Sequence, residues 1–286
     1  MTTGEFHHYV TSSLRVPLTG ELQREYGINV DGDSGGRPDN QLGNVFVALT
    51  SNSDLDLQAQ VDDAVADGAL VLLHSVRADD LESDPSVSWQ VYSGADAAAP
   101  PAFDGSDSFD MGEGVSSPIT GRTSSGAYTA TPKGAGALTV RLKVSETAPP
   151  ISLDLIGARV EATIDASGCS GRLGGAVTET QIDTALIPSV VDMMNAAIAR
   201  DPGCPGACEA GTSAALIVDV FDEDADGVIT VTEVRNSSIM QTLLAPDLDL
   251  IDESGAFSPD GHHESISLGV GFDCVPASFT AAGETP

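Results

Sequence analysis

Residues 151–164 read ISLDLIGARVEATI, and the alternation in this stretch decides what kind of fold the chain can build. Ile151, Leu153 and Leu155 alternate with polar neighbours in one phase, while Ala158, Val160, Ala162 and Ile164 alternate in the opposite phase. Period-2 alternation marks a strand with one buried face, because successive side chains point to opposite sides. A change of phase would turn half of these apolar side chains outward unless one extra residue were inserted. The Ile156-Gly157 junction is therefore expected to hold a β-bulge. The same alternation recurs upstream at Leu138, Val140, Leu142 and Val144, and downstream at Ile266, Leu268, Val270 and Phe272, with Cys274 continuing that inward face.

Helical periodicity separates these strands. Leu42, Val45, Phe46 and Leu49 share one helical face. A second helix is expected to start near Asp54, carry Leu57, Val61, Ala64 and Val65 inward, and stop at Gly68. Strand-like runs follow at 69–76 and 87–92, and then 93–136 fills with Gly, Ala, Ser, Pro and Asp, as a linker or an irregular sheet edge would. Thr178 and Gln181 have capping-box spacing. After them Ile182, Leu186, Val190, Met193, Met194, Ala197 and Ile198 form an apolar stripe, bent at Pro188, whose methionines read as core filler. The class is α+β: an antiparallel sheet or sandwich core with packed helices and an N-terminal helical segment. Two regions are expected, a mixed α/β region at 1–98 and a β-rich one at 99–286, the latter carrying an inserted helix at 178–200 and a helix–loop–helix at 213–245.

Charge bounds the partners. Of 286 residues 43 are acidic and 12 basic, a net charge of −31, and the lysines are Lys133 and Lys143 alone. Such a chain is repelled by nucleic acid and by anionic membranes and attracts cations. The longest apolar runs, such as 69–73, are too short to form a transmembrane segment. MTTGEFHHYV has no basic stretch followed by an apolar one, as a signal peptide would, and a processed form would look the same. Cys204 and Cys208 suit a disulfide across a tight turn, with Cys169 and Cys274 as the second pair, which favours an oxidising compartment. Free thiols in a cytosolic protein are the alternative. His7-His8 and His262-His263 have no partner spacing for a transition metal and read as surface residues.

The strongest chemical signal is FDEDADGVITVTEV at 221–234. Counted from Asp222, acids fall at loop positions 1, 3 and 5 (Asp222, Asp224, Asp226), glycine at 6 (Gly227), Ile229 at 8 and Glu233 at 12. Alternate residues of a curling loop aim their carboxylates at one centre, Gly227 permits the turn, and Glu233 closes the far side with two oxygens. The loop resembles the EF-hand calcium site, with 214–221 as entering helix and 232–244 as exiting helix. That resemblance implies a backbone carbonyl ligand from Val228 and a role for Thr230 at position 9. EF-hands normally pair through position 8 of each loop, whereas this chain has no second full loop. A lone loop points to structural rather than sensory calcium.

A second candidate lies at 29–40, NVDGDSGGRPDN. Its GDSGG matches the setting of a trypsin-like nucleophile at Ser34, but too few residues precede it to supply the histidine and aspartate of that fold. Asn29, Asp31, Asp33 and Asp39 instead resemble the short calcium loops of integrin-type and dockerin-type repeats, with Ser34-Gly35 as an insertion. Asp39 also suits a helix N-cap. A third cluster, Asp247, Asp249, Asp252 and Asp260, lacks the glycine and the spacing and reads as a solvated loop.

LDLIGARVEATIDASGCSGRLGGA (153–176), LLAPDLDL (243–250) and SLGVGF (267–272), with the two loops, resemble a group of secreted or lipoprotein-like bacterial proteins that carry one EF-hand between a helical segment and a final strand. The resemblance implies calcium and a secreted, periplasmic or lipid-anchored location, with no activity attached. The expectation is a non-enzymatic secreted or surface protein that acts through binding or self-assembly, with one or two structural calcium ions. The alternatives are an extracellular hydrolase acting on polysaccharide or lipid, and a filament or adhesin subunit.

Overall fold

The structure, a computed structural model, describes residues 4–31, 38–51, 56–131, 135–142, 151–204, 208–250 and 260–281. Its strands are β1 (Glu5–Arg15), β2 (Leu72–Ala78), β3 (Ser83–Ser93), β4 (Ser116–Ser117), β5 (Ile119–Ser124), β6 (Ala127–Ala130), β7 (Gly136–Leu142), β8 (Ile151–Asp165), β9 (Gly168–Thr178) and β10 (Ser265–Pro276). The helices are α1 (Gly20–Tyr26), α2 (Leu42–Ser51), α3 (Leu57–Ala66), α4 (Glu179–Arg200), α5 (Ser213–Phe221), α6 (Val231–Asn236) and α7 (Ser238–Leu243). The chain is thus a mixed α+β fold.

The alternating segment quoted above forms β8, the longest strand. All seven of its apolar alternating residues are buried, and the register shifts between Ile156 and Arg159 around Gly157 at φ 61. The expected bulge is there, and it has an architectural purpose. Before the bulge β8 pairs with β7; beyond it, the same edge pairs with β6, while β9 runs along the other edge. Every strand pairing is antiparallel, and β9–β10–β1–β2–β3–β5–β6 leads from β8 back to β8. The core expected as a sheet or sandwich is one sheet closed into a ring. The expected boundary at 98/99 falls inside it, because β1, β2 and β3 from the N-terminal region are paired to β10 and β5 of the other.

Large side chains fill the ring. Trp89, Tyr128, Phe272 and Tyr9 are almost wholly buried, with the Trp89 and Tyr128 rings 5.0 Å apart. Fully buried His74 stacks on Phe272 at 5.0 Å. The Trp89 indole N–H donates to His74 Nδ1 (3.1 Å), so Nε2 carries the proton and donates to Thr11 Oγ1 (2.8 Å). Burial pushes the His74 pKa down to about 3. Val10, Leu73, Tyr92, Phe109 and Phe279 form a second, outer layer over β1 and β2.

The helices extend the same core. In α3, Leu57, Val61, Ala64 and Val65 are buried as expected, but the N-cap is Asp56, whose carboxylate accepts from Ala59 N–H; Asp54 lies outside the described residues. In α2, Leu42, Val45 and Phe46 are buried, and the side chain of Leu49 lies outside the described ones, as does Val144. α4 buries Ile182, Leu186, Val190, Met194 and Ile198. It passes through a π turn at Ile182–Leu186 just before Pro188, which has no N–H to continue an α-helical ladder. Its expected capping box is absent, because the Gln181 side chain accepts from Asp154 N–H in β8 instead. By length and composition α4 could cross a membrane, and in this fold its stripe is spent on the core. Cys169 and Cys274, directly opposite in β9 and β10, are disulfide-bonded, as are Cys204 and Cys208.

Candidate metal centre

The loop at 222–233 is held open by α5 on one side and α6 on the other. α5 is capped by the Thr212 side chain, and its last turn ends at Asp222, whose N–H donates to Val218 O. The aspartates then shape the turn. Asp222 Oδ1 accepts from Asp226 N–H (3.1 Å) and Oδ2 from Gly227 N–H (2.8 Å), while Asp226 Oδ1 accepts from Val228 N–H (2.8 Å). Ala225 (φ 60) and Gly227 (φ 83) take the left-handed conformation that turns the chain so sharply; glycine adopts it at no steric cost. Carboxylate oxygens of Asp222, Asp224 and Asp226 lie within 4.8 Å of one another. Ligands of one calcium ion, each about 2.3–2.6 Å from it, can stand about that far apart.

Glu233 reaches back across the loop. Its Oε1 accepts from Glu223 N–H (2.9 Å), and its Oε2 accepts from Thr230 N–H and Oγ1–H (both 2.8 Å). Thr230 Oγ1 accepts in turn from Glu233 N–H, completing a capping box at the start of α6. Slight burial pushes the Glu233 carboxyl up, but the bonds from Thr230, Glu223 and Asp224 outweigh it and hold the carboxyl below the usual range. Val228 turns its side chain to solvent. The exiting helix, expected over 232–244, is broken at Ser237 into α6 and α7. Ile217, Val218 and Phe221 of the entering helix are half-buried against the core.

Sequence reasoning missed the residue that anchors this loop. Ile229, 1% exposed, donates its N–H to Asn195 Oδ1 (2.9 Å), and its carbonyl accepts from Asn195 Nδ2 (2.7 Å). One side-chain amide of α4 thus satisfies both backbone groups of Ile229. Asn195 sits in a helix between apolar neighbours, and nothing in the local pattern marks it.

The second candidate is arranged differently. Asp39 N–H donates to Ile28 O (3.1 Å), and Asp39 Oδ2 accepts from Val30 N–H (2.9 Å). The next helix starts at Leu42, three residues after Asp39. The Arg159 guanidinium, pushed down by burial, is held up by Asp31, Glu161 and Asp39, so a side chain already supplies positive charge there. Asn29 adjoins this bridge, while Asp33 and Ser34 lie outside the described residues. In the third cluster, Asp247 accepts from Ser267 N–H (2.8 Å) and Oγ–H (2.5 Å), and burial pushes its carboxyl up. Asp252 lies outside the described residues.

Beside α5 runs a cleft of about 350 Å³, lined by Val45, Met194, Leu216, Val220, Ile239 and neighbours, with Ser213 its one polar residue. A second cleft brings Glu179 and Asp183 near Arg235, which pairs with Asp183 at 2.9 Å. Comparison of the chain with family models, with curated proteins and with solved structures found no match.

Proposed function

We propose that the chain is a secreted or cell-surface protein whose 222–233 loop is a lone EF-hand calcium site. Calcium has a structural role there, and the protein acts through binding rather than catalysis. The observation that carries the reading is the convergence of Asp222, Asp224 and Asp226 on one centre, in a loop docked to the core by Asn195. The two disulfides are compatible with an extracellular location, where millimolar calcium fills sites of modest affinity. The apolar lining of the cleft beside α5 suits a binding role better than hydrolysis, which needs convergent polar groups. Ring closure weighs against assembly by strand addition. Among the described residues only the two-residue β4 has a single strand partner.

Calorimetric titration tests the assignment. The wild-type chain is expected to bind one more calcium than Glu233→Gln, which loses the bidentate closing ligand. Equal stoichiometry and affinity in the two would rule the loop out as the site.

A further inference from the structure

We propose that Asp249, Asp260 and Glu264 form a second site for a hard divalent cation of the calcium class, separate from the 222–233 loop. Ligand oxygens of the three carboxylates lie within 4.8 Å of one another. The juxtaposition is built by backbone pairing. Leu248 bridges Ser265 in antiparallel fashion, with Glu264 N–H donating to Leu248 O (3.1 Å), which places Asp249 beside Glu264. Leu248 and Leu250 are buried with Val30 and Ala176, fixing the segment to the outer face of the sheet. Asp249 then draws in the far end of the loop, its two oxygens accepting from Asp260 N–H (2.9 Å) and Gly261 N–H (2.8 Å).

The observation that calls for a ligand is Glu264. Both of its carboxylate oxygens are closed off from solvent, and neither accepts a hydrogen bond. Buried carboxylates are ordinarily satisfied, and one without a donor carries a desolvation cost with nothing to offset it. Here two further carboxylates face it, which adds repulsion at close range. By contrast, Asp249 and Asp260 each accept backbone bonds that shape the turn. A single divalent cation removes the repulsion and gives the Glu264 oxygens a partner, and oxygen-only ligands select calcium or magnesium over softer metals. The ion would tie the segment that leaves α7 to the first residue before β10. That residue's carbonyl also accepts from Glu179 N–H at the start of α4 (3.2 Å).

Calcium bound per folded chain, counted by native mass spectrometry in the Glu233→Gln background, tests this apart from the first loop. Glu233→Gln is expected to retain a calcium that both Glu233→Gln/Glu264→Gln and Glu233→Gln/Asp260→Asn lose. Asp260 is exposed, so the second variant decides the matter if the first does not fold. A Glu233→Gln chain that binds no calcium, or double variants that bind as much as it does, would overturn the site while leaving the first loop untouched.

Discussion

Asn195 and His74 show how single polar side chains set the behaviour of this molecule. Replacing Asn195 by alanine leaves the buried N–H and carbonyl of Ile229 without partners, at about 1–3 kcal/mol for such a group. Asn195→Ala is therefore expected to lower the melting temperature and to weaken calcium binding at 222–233, read by the same titration. Unchanged affinity would mean that the loop is shaped without the clasp. His74 acts through pH. Its folded pKa, about 3, lies below the ordinary 6.5, so the native state binds fewer protons than the unfolded chain in that window. The His74 contribution to stability is fully present above the ordinary 6.5 and is lost by about 1.4 kcal/mol per unit as the pH drops toward 3. His74→Gln should flatten that slope relative to wild type in denaturant titrations at stepped pH. Parallel slopes would show that other groups govern acid unfolding.

At the scale of elements, the legible parts were those whose buried face is made of large apolar residues. β8 and β10 could be read from their alternation, and so could the bulge at Gly157, because a phase slip has only one cheap structural solution. β5 was not legible. Its inward positions are Ile119, Gly121 and Thr123, and small residues are required there because the Tyr128 ring fills the space; a Cβ on Gly121 would lie 2.6 Å from Tyr128 Cζ. The signal of burial had moved to the neighbouring strand. The capping box at 178–181 failed because β8 offers Gln181 a backbone donor that local spacing cannot reveal. Of the candidate site, the aspartates, Gly227 and Glu233 stood out by spacing alone. Asn195 and Glu264 did not, since each matters only through residues distant in the chain or folded back on it.

For the whole molecule, closure of the sheet and the surplus of acid pull in opposite directions. The ring pairs N-terminal β1 with C-terminal β10, and the Cys169–Cys274 bond ties β9 to β10; a bond closing a loop of that order (sequence separation 105) constrains the unfolded chain by about 4–5 kcal/mol in the chain-entropy view. A net charge of −31 opposes compaction, and most acutely where carboxylates converge. Calcium bound as proposed would relieve that repulsion in the native state and so stabilise it by linkage. At about tenfold to hundredfold over the dissociation constant, one ion adds roughly 1.4–2.7 kcal/mol. The most direct measurement is the thermal unfolding midpoint in 10 mM calcium against the same buffer with a chelator. The midpoint should rise by several degrees with calcium, and the share of that rise due to the 222–233 loop should vanish in Glu233→Gln. Superimposable curves in calcium and chelator would contradict the account.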